Sequence, residues 1–444
     1  MTEAAHTGEV RPITHRRVLA IAAPIVLSNT TVPILGLVDT GVVGQMGEAA
    51  PIGAVGIGAI ILTSIYWIFG FVRMGTTGLV GQAHGAGNRA EVSALLTRAL
   101  IVAGIAGGAT ILAQSAIFAG AFRLSPASPE VEALARQYLA IRVWSAPAAI
   151  AIFGLTGWLI ALERTCSVLV LQVAMNAVNI ALDLLFVLGF EWGVRGVAVA
   201  TFVAEWGGAG LGLWLCRDAF AGRFWRDWSR VFDRVQLFRM ASVNTDILIR
   251  SLLLQAIFVS FLFFAADLGD VALAANQVLL QFLQVTAYAM DGFAFSAEAL
   301  VAQAMGRRSV PALRRSAVMT SLWGLGAGLA MAAGFALVGG AVIDLMTTAP
   351  EVRIAARDYL PWMVAVPILG AAPWMLDGIF IGATRTRDMR NMMLLSALAY
   401  VLTLAALMPV FGNHGLWAAL AVSFVARGTT LWIRYPALER AVGQ

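Results

Sequence analysis

Apolar residues in this chain come as long, nearly unbroken runs, and the alternation of half-buried strands is absent. One run, Leu171 to Gly189 (LQVAMNAVNIALDLLFVLG), contains a single acid, Asp183, and two amides, Asn176 and Asn179. Its length suits a bilayer, whose hydrocarbon core takes about 20 residues of helix. Spacings of three and four put the three polar residues on one helix face. A carboxylate at that depth costs roughly 2.5–3.5 kcal/mol on insertion scales, so it is expected to face protein or a cavity rather than lipid. The same ruler finds twelve such runs along the chain. Their connections are short, apart from an arginine-rich stretch around Arg217 to Arg239. The expected fold is all-α, with twelve transmembrane helices.

The chain also repeats itself. Gln82-Ala83-His84-Gly85 recurs as Gln303-Ala304-Met305-Gly306, and Gly157, Arg164 and Thr165 recur as Gly378, Arg385 and Thr386, both at an offset of 221. Gly196-Val197-Ala198 answers to Gly415-Leu416-Trp417 at an offset of 219. This predicts two pseudo-symmetric six-helix lobes, residues 1–218 and 237–444, joined by a cytoplasmic linker at 219–236. Six is even, so the halves point the same way about an axis along the membrane normal, with a cavity between them. Such a design favours alternating access and weighs against a channel.

Composition agrees: 60% of the 444 residues are hydrophobic and 12% charged, with a mean hydropathy of +0.82. A soluble core of this size would need more polar surface to cover it. The net charge of +5 comes without a single lysine. Arginines gather at the start (Arg11, Arg16, Arg17) and in the even-numbered connections, and the odd ones are poor in them apart from Arg353 and Arg357 in the ninth. Positive residues stay in the cytoplasm, so both termini are expected there, in a bacterial inner membrane. Arg223 to Arg230, with Trp225 and Trp228 among them, suits a membrane interface, and no nucleic-acid partner is indicated. Cys166 and Cys216 have no paired spacing and are expected to be reduced apolar fillers. No GxxxxGK[ST], HExxH or G-x-S-x-G motif occurs, so no enzyme and no cofactor are expected. Energy must then come from an ion gradient or the membrane potential.

Several polar residues lie inside the apolar runs. Asp39 is six residues past Pro33, which cannot donate to the carbonyl of Asn29, so the first helix can bend there. Thr201 could hydrogen-bond an acid of a neighbouring helix, although such hydroxyls more often bond their own backbone. In the second half, Asp246 and Arg250 stand at ion-pair spacing. Asp291 follows Tyr288 with no basic partner in sight, and Asp377 is equally unassigned. Gly104 with Gly108, and Gly208 with Gly212, read as close helix packing.

With these residues in view, the chain resembles the multidrug and toxic compound extrusion (MATE) family, in its DinF branch. The resemblance rests on Pro24 to Gly47, Gly70 to Asn88, Asn176 to Asp183 with Trp192-Gly193-Val194, Asn244 to Gln255, and Asp377 to Asn391. It implies a V-shaped pair of lobes and a monomer that exports small amphipathic, often cationic, organic compounds in exchange for protons. Asp39 and Asp183 match the family's coupling acids, and Asn179 and Thr201 the residues beside them. Tyr138, Asn176 and Met175 would share that cavity wall. Asp246, Arg250 and Asp291 would form a second-lobe polar network. Ser260 and Leu404 stand where the repeat places the partners of Asp39 and Asp183, so coupling is expected in the first lobe alone. Sodium is the rival ion, with oxygens from Asp183, Asn179 and Thr201; no other metal is expected. A flippase for lipid-linked precursors is the rival function. It would need arginines in the cavity, for which only Arg73 and Arg250 are placed.

Overall fold

The computed structural model describes residues 12–45, 49–124 and 128–442, without the side chains of Ile34, Leu37, Asp39, Thr40 and Leu124. Arg11 lies outside the described residues. The chain runs through α1 (His15–Gly44), α2 (Ala49–Ile68), α3 (Gly70–Gly85), α4 (Arg89–Leu112), α5 (Gln114–Leu124), α6 (Pro129–Arg142), α7 (Ala146–Ala161), α8 (Thr165–Asp183) and α9 (Gly193–Leu215). Two short 3₁₀ turns and α10 (Trp228–Val231) lead to α11 (Arg234–Asp267), α12 (Asp270–Gly306), α13 (Val310–Met346), α14 (Pro350–Gly382), α15 (Thr386–Phe411) and α16 (Asn413–Val442). Eleven spans among the described residues are long and apolar enough to cross a membrane, with α2–α3 and α6–α7 each counting as one. The 30 residues of α1 extend about 45 Å at 1.5 Å per residue and make the twelfth. Helices are the expected solution, because every backbone group must find its partner within the segment in lipid.

Local chemistry marks the ends of these helices, and it does so twice. Asn88 caps α4 by accepting from the Glu91 N–H, and Ser309, 221 residues on, caps α13 by accepting from the Ala312 N–H. Left-handed backbone recurs in the same register: Glu163 at φ 59° and Thr384 at 51°, Gly87 at 72° and Arg308 at 54°, Gly193 at 57° and Gly412 at 54°. Three of these six are not glycine, a conformation that costs about 1 kcal/mol or more and persists only where the surroundings demand it. Close approaches repeat as well. A Cβ on Gly157 would lie 2.5 Å from the Arg73 carbonyl oxygen, and one on Gly378 would lie 2.5 Å from that of Ala294. The repeat is thus a repeat of helix crossings.

Helices α1–α9 pack among themselves, as do α11–α16. The two lobes of the V meet where α1, α3 and α7 touch α11, α12 and α14. Even-numbered connections share one end: Arg17 pairs with Glu163, Arg164 with Asp218, and Arg98 with Glu91 while donating to the carbonyls of Arg230 and Val231. The helix α1 runs unbroken through Pro24 and Pro33.

Two expectations need correction. Gly104 and Gly108 meet nothing within 4 Å, and the close approach belongs to Gly107, against the Pro147 backbone. The i, i+4 spacing was right for a packing face, but that face lies elsewhere on α4. Gly208 and Gly212 do pack closely, against Met175 and Leu155. Cys216 is buried, and burial pushes its thiol up to about 12, so it is an inert filler. Cys166 is exposed and fills nothing.

These contacts predict opposite responses to one methyl group. Gly157→Ala and Gly378→Ala should each cost about 1–3 kcal/mol by overpacking against backbone. Gly104→Ala should be neutral, or stabilising by up to about 1 kcal/mol through helix propensity. Thermal unfolding of the three purified variants in one detergent checks the ranking.

Candidate functional site

Asp183 is the last residue of α8 before the helix loosens into a π segment, Leu184–Gly189. Such segments are rare and recur at functional sites. The face predicted from spacing points into the protein: Asp183 is 0% exposed, Asn179 1% and Asn176 5%. Lipid never touches them, because α8 packs between α1 and α9.

Each amide ties α8 to a neighbour. The Asn176 Nδ2 donates to Thr31 Oγ1 on α1 at 2.8 Å, while its Oδ1 accepts from Gln172 at 3.0 Å. Thr31, two residues ahead of Pro33, in turn donates to the Ser28 carbonyl. The Asn179 Nδ2 donates to Thr201 Oγ1 at 3.1 Å, and that hydroxyl donates to the Val197 carbonyl at 3.0 Å. Thr201 therefore bonds its own backbone, as its type usually does, and serves an amide in addition. Asn179 Oδ1 is buried with no hydrogen-bond partner among the described residues. Buried acceptors are nearly always satisfied, so this one stands apart from the rest of the polar face. Asp39 lies on α1, the helix packed against α8 and its π segment. Its side chain is outside the described residues.

A second polar group adjoins this one and was not foreseen from the sequence. The fourth span breaks into a 3₁₀ turn at Val143–Ser145, beside the buried Arg142. Its guanidinium donates to both oxygens of Glu205, at 2.5 and 3.2 Å, to Ser145 Oγ at 2.8 Å and to Tyr138 Oη at 3.3 Å. The Tyr66 hydroxyl donates to the Arg142 carbonyl. Glu205 is one turn beyond Thr201 on α9, so the two clusters share a helix face. The signal was present: opposite charges stand inside two apolar runs of the same lobe, where neither is tolerated alone. Tyr138 is buried and belongs to this network. Met175 packs its sulfur against Gly208, which makes it a helix contact between α8 and α9.

The second lobe answers with fixed pairs. Asp246 does not bond Arg250, despite the spacing. It accepts from Arg390 at 2.6 Å and from Thr386 at 3.1 Å, both on α15. Arg250 pairs instead with Asp377 on α14, and Arg427 on α16 stands 3.8 Å from that carboxylate. Partners on neighbouring helices meet these side chains head-on, whereas an i, i+4 pair only runs alongside its own helix. Asp291 is half-buried and has no ion pair among the described residues. Ser260 donates to the Tyr400 hydroxyl at 3.2 Å, and Leu404 is buried, so no acid stands at these two positions. Between the lobes, Arg73 pairs with Glu298 at 2.9 Å and stacks on Phe295 at 3.8 Å.

Comparison with known proteins decides the lineage. The MatE family model matches twice, over residues 24–185 and 247–406, which together make up more than half of the chain. The chain belongs to the MatE family. Its two matched blocks coincide with the repeat read from offsets near 221. The MatE-family chain is 38% identical to the DNA damage-inducible protein F of Escherichia coli (strain K12), over 94% of this chain and 91% of that one. It is 24% identical to a probable multidrug resistance protein NorM of Rhizobium meliloti, over 97% and 95%. Its fold matches a crystal structure of MATE in the bent conformation with a TM-score of 0.88, at 19% identity and 97% coverage of both chains.

The regrouped second-lobe pairs are directly testable. A double-mutant cycle on thermal unfolding should find strong coupling between Arg250 and Asp377 and almost none between Asp246 and Arg250. Removing Arg250 alone leaves the buried Asp377 carboxylate with only Arg427, 3.8 Å away, and should cost about 1–3 kcal/mol.

Proposed function

We propose that this MatE-family membrane protein is a secondary transporter that expels amphipathic, often cationic, organic compounds in exchange for protons. The observation that carries this reading is the enclosed acid, amide and hydroxyl set of Asp183, Asn179 and Thr201, set against its second-lobe counterpart. There, the position equivalent to Asp183 is Leu404, and the second-lobe acids Asp246 and Asp377 are already neutralised by arginine. A carboxyl reached by both drug and proton can take a proton when the cavity empties of substrate and lose it when a cation enters. Asp39 is proposed as the second carboxyl of the same chamber. Competition between drug and proton is what exchange requires.

In this reading residues 1–218 and 237–444 rock against one another, with 219–236 as the link, and the arginine-rich end faces the bacterial cytoplasm together with both termini. The names of the relatives support the substrate class: one is called a probable multidrug resistance protein. The lipid-flippase alternative fares worse, because both arginines that it needs already pair with acids, Arg73 with Glu298 and Arg250 with Asp377. Sodium is the rival ion, with oxygens from Asp183, Asn179 and Thr201.

Purified protein should release protons when a cationic drug is added, and Asp183→Asn and Asp39→Asn should each abolish most of that release. Equal release from wild type and both variants would remove the two residues from the mechanism. Efflux in everted vesicles that survives collapse of the proton gradient while sodium is present would transfer the coupling to sodium.

A further inference from the structure

At the arginine-rich end, the two lobes are joined by a contact that the repeat makes twice. The Gln82 side-chain amide, from the first lobe, donates to the Gly382 carbonyl at 3.1 Å and to Thr384 Oγ1 at 3.0 Å, at the end of α14. The Gln303 amide, from the second lobe, donates to the Ala161 carbonyl at 3.0 Å, at the end of α7. Positions 82 and 303 are equivalent under the offset of 221, as are 161 and 382. Each glutamine oxygen is held by an arginine: Gln303 by Arg17 at 3.2 Å, Gln82 by Arg239 at 2.6 Å. The backbones beneath are in contact, since a Cβ on Gly85 would strike the Gln303 carbonyl and one on Gly306 that of Gln82. A Cβ on Gly81 would lie 2.5 Å from the Cβ of Ala302, its own repeat equivalent. The pseudo-twofold axis passes here.

The halves differ in charge at the position that follows α7 and α14. Glu163 occupies the left-handed position after α7, and its carboxylate takes a bidentate hydrogen bond from Arg17, with Nε to Oε2 at 2.8 Å. Its repeat equivalent is Thr384, which offers Arg239 no charge. Burial alone would raise Glu163, but hydrogen bonds from Arg17 and Gln303 and the Arg17 charge outweigh it and hold the carboxyl below its usual range. The charged or titratable groups around it are Arg17, His84 and Arg307. Its share of the contact is therefore present at neutral pH and lost only as the pH falls through that lowered value.

We infer that Gln82 and Gln303 form a reciprocal latch that closes the cleft at this end, with Arg17–Glu163 making the first-lobe half the stronger. A side-chain amide aimed at the last free carbonyls of the opposite lobe's helix serves as a helix cap made in trans. Opening the cleft at this end breaks both caps together and leaves backbone carbonyls to be taken up by water, which gives the element two states and little between. The latch is independent of what is transported, although its use in a cycle rests on the alternating access proposed above.

The test reads distance rather than transport. Spin labels at Arg89→Cys and Arg315→Cys, exposed on opposite lobes, are placed in a background carrying Cys166→Ser and Cys216→Ser. Pulsed electron–electron spectroscopy is then run in lipid nanodiscs. The short distance should dominate with the latch intact. The pair Gln82→Ala/Gln303→Ala should raise the long-to-short ratio about tenfold, and Glu163→Gln should raise it by a similar factor. Thr384→Glu keeps the existing backbone shape and supplies Arg239 with the partner that Arg17 has, so it should lower the ratio. A ratio unmoved by the glutamine pair and by Glu163→Gln, or a rise with Thr384→Glu, overturns the latch. Distances that respond as expected in a protein that moves no drug would leave the latch standing and remove the transport reading.

Discussion

A carboxyl group enclosed at the depth of a bilayer sets the terms for the first lobe. Asp183 is wholly shut away from solvent and lipid, and a charge so placed must find compensation from its own protein. Stacking α8 between α1 and α9 turns one face of α8, with the acid and two amides, into the lobe. The amides then fasten the neighbours: Asn176 holds Thr31, just before a proline, and Asn179 holds Thr201. The π segment that follows the acid gives the chain slack at that point.

The second lobe repeats the frame and changes the electrostatics. Its crossings, caps and left-handed turns recur at the offset of the first lobe. Its buried acids, however, are met by arginines on other helices, Asp246 by Arg390 and Asp377 by Arg250. A buried carboxylate and its guanidinium partner hold each other in place, because losing either one leaves the other without its counter-charge. The two lobes thus share a shape and differ in charge. The same asymmetry reappears where the lobes meet, in Glu163 opposite Thr384.

Much of this was legible in the sequence. The twelve apolar runs, the repeat and the polar face of Leu171 to Gly189 follow from length and spacing alone, because lipid allows so few backbone solutions. What misled was local spacing taken as contact. Asp246 and Arg250 are four apart, yet both turn outward to other helices, and no one-dimensional rule says which neighbour will be there. The α4 glycines show the same limit: Gly107, between the pair that looked like a motif, meets Pro147. Arg142 and Glu205 were readable in principle, as opposite charges in two spans of one lobe, but their pairing depends on a 3₁₀ break that the sequence signals only weakly. The cross-lobe glutamines stood in a repeated motif whose partners, backbone carbonyls, leave no mark in sequence at all.

The most direct measurement of the central claim is difference infrared spectroscopy on reconstituted protein carrying isotope-labelled aspartate, stepped between neutral and acid pH. The account predicts a carbonyl band from a protonated, water-excluded carboxyl that vanishes in Asp183→Asn and weakens when a cationic drug is added. The same band at full strength in Asp183→Asn, indifferent to drug, would contradict it.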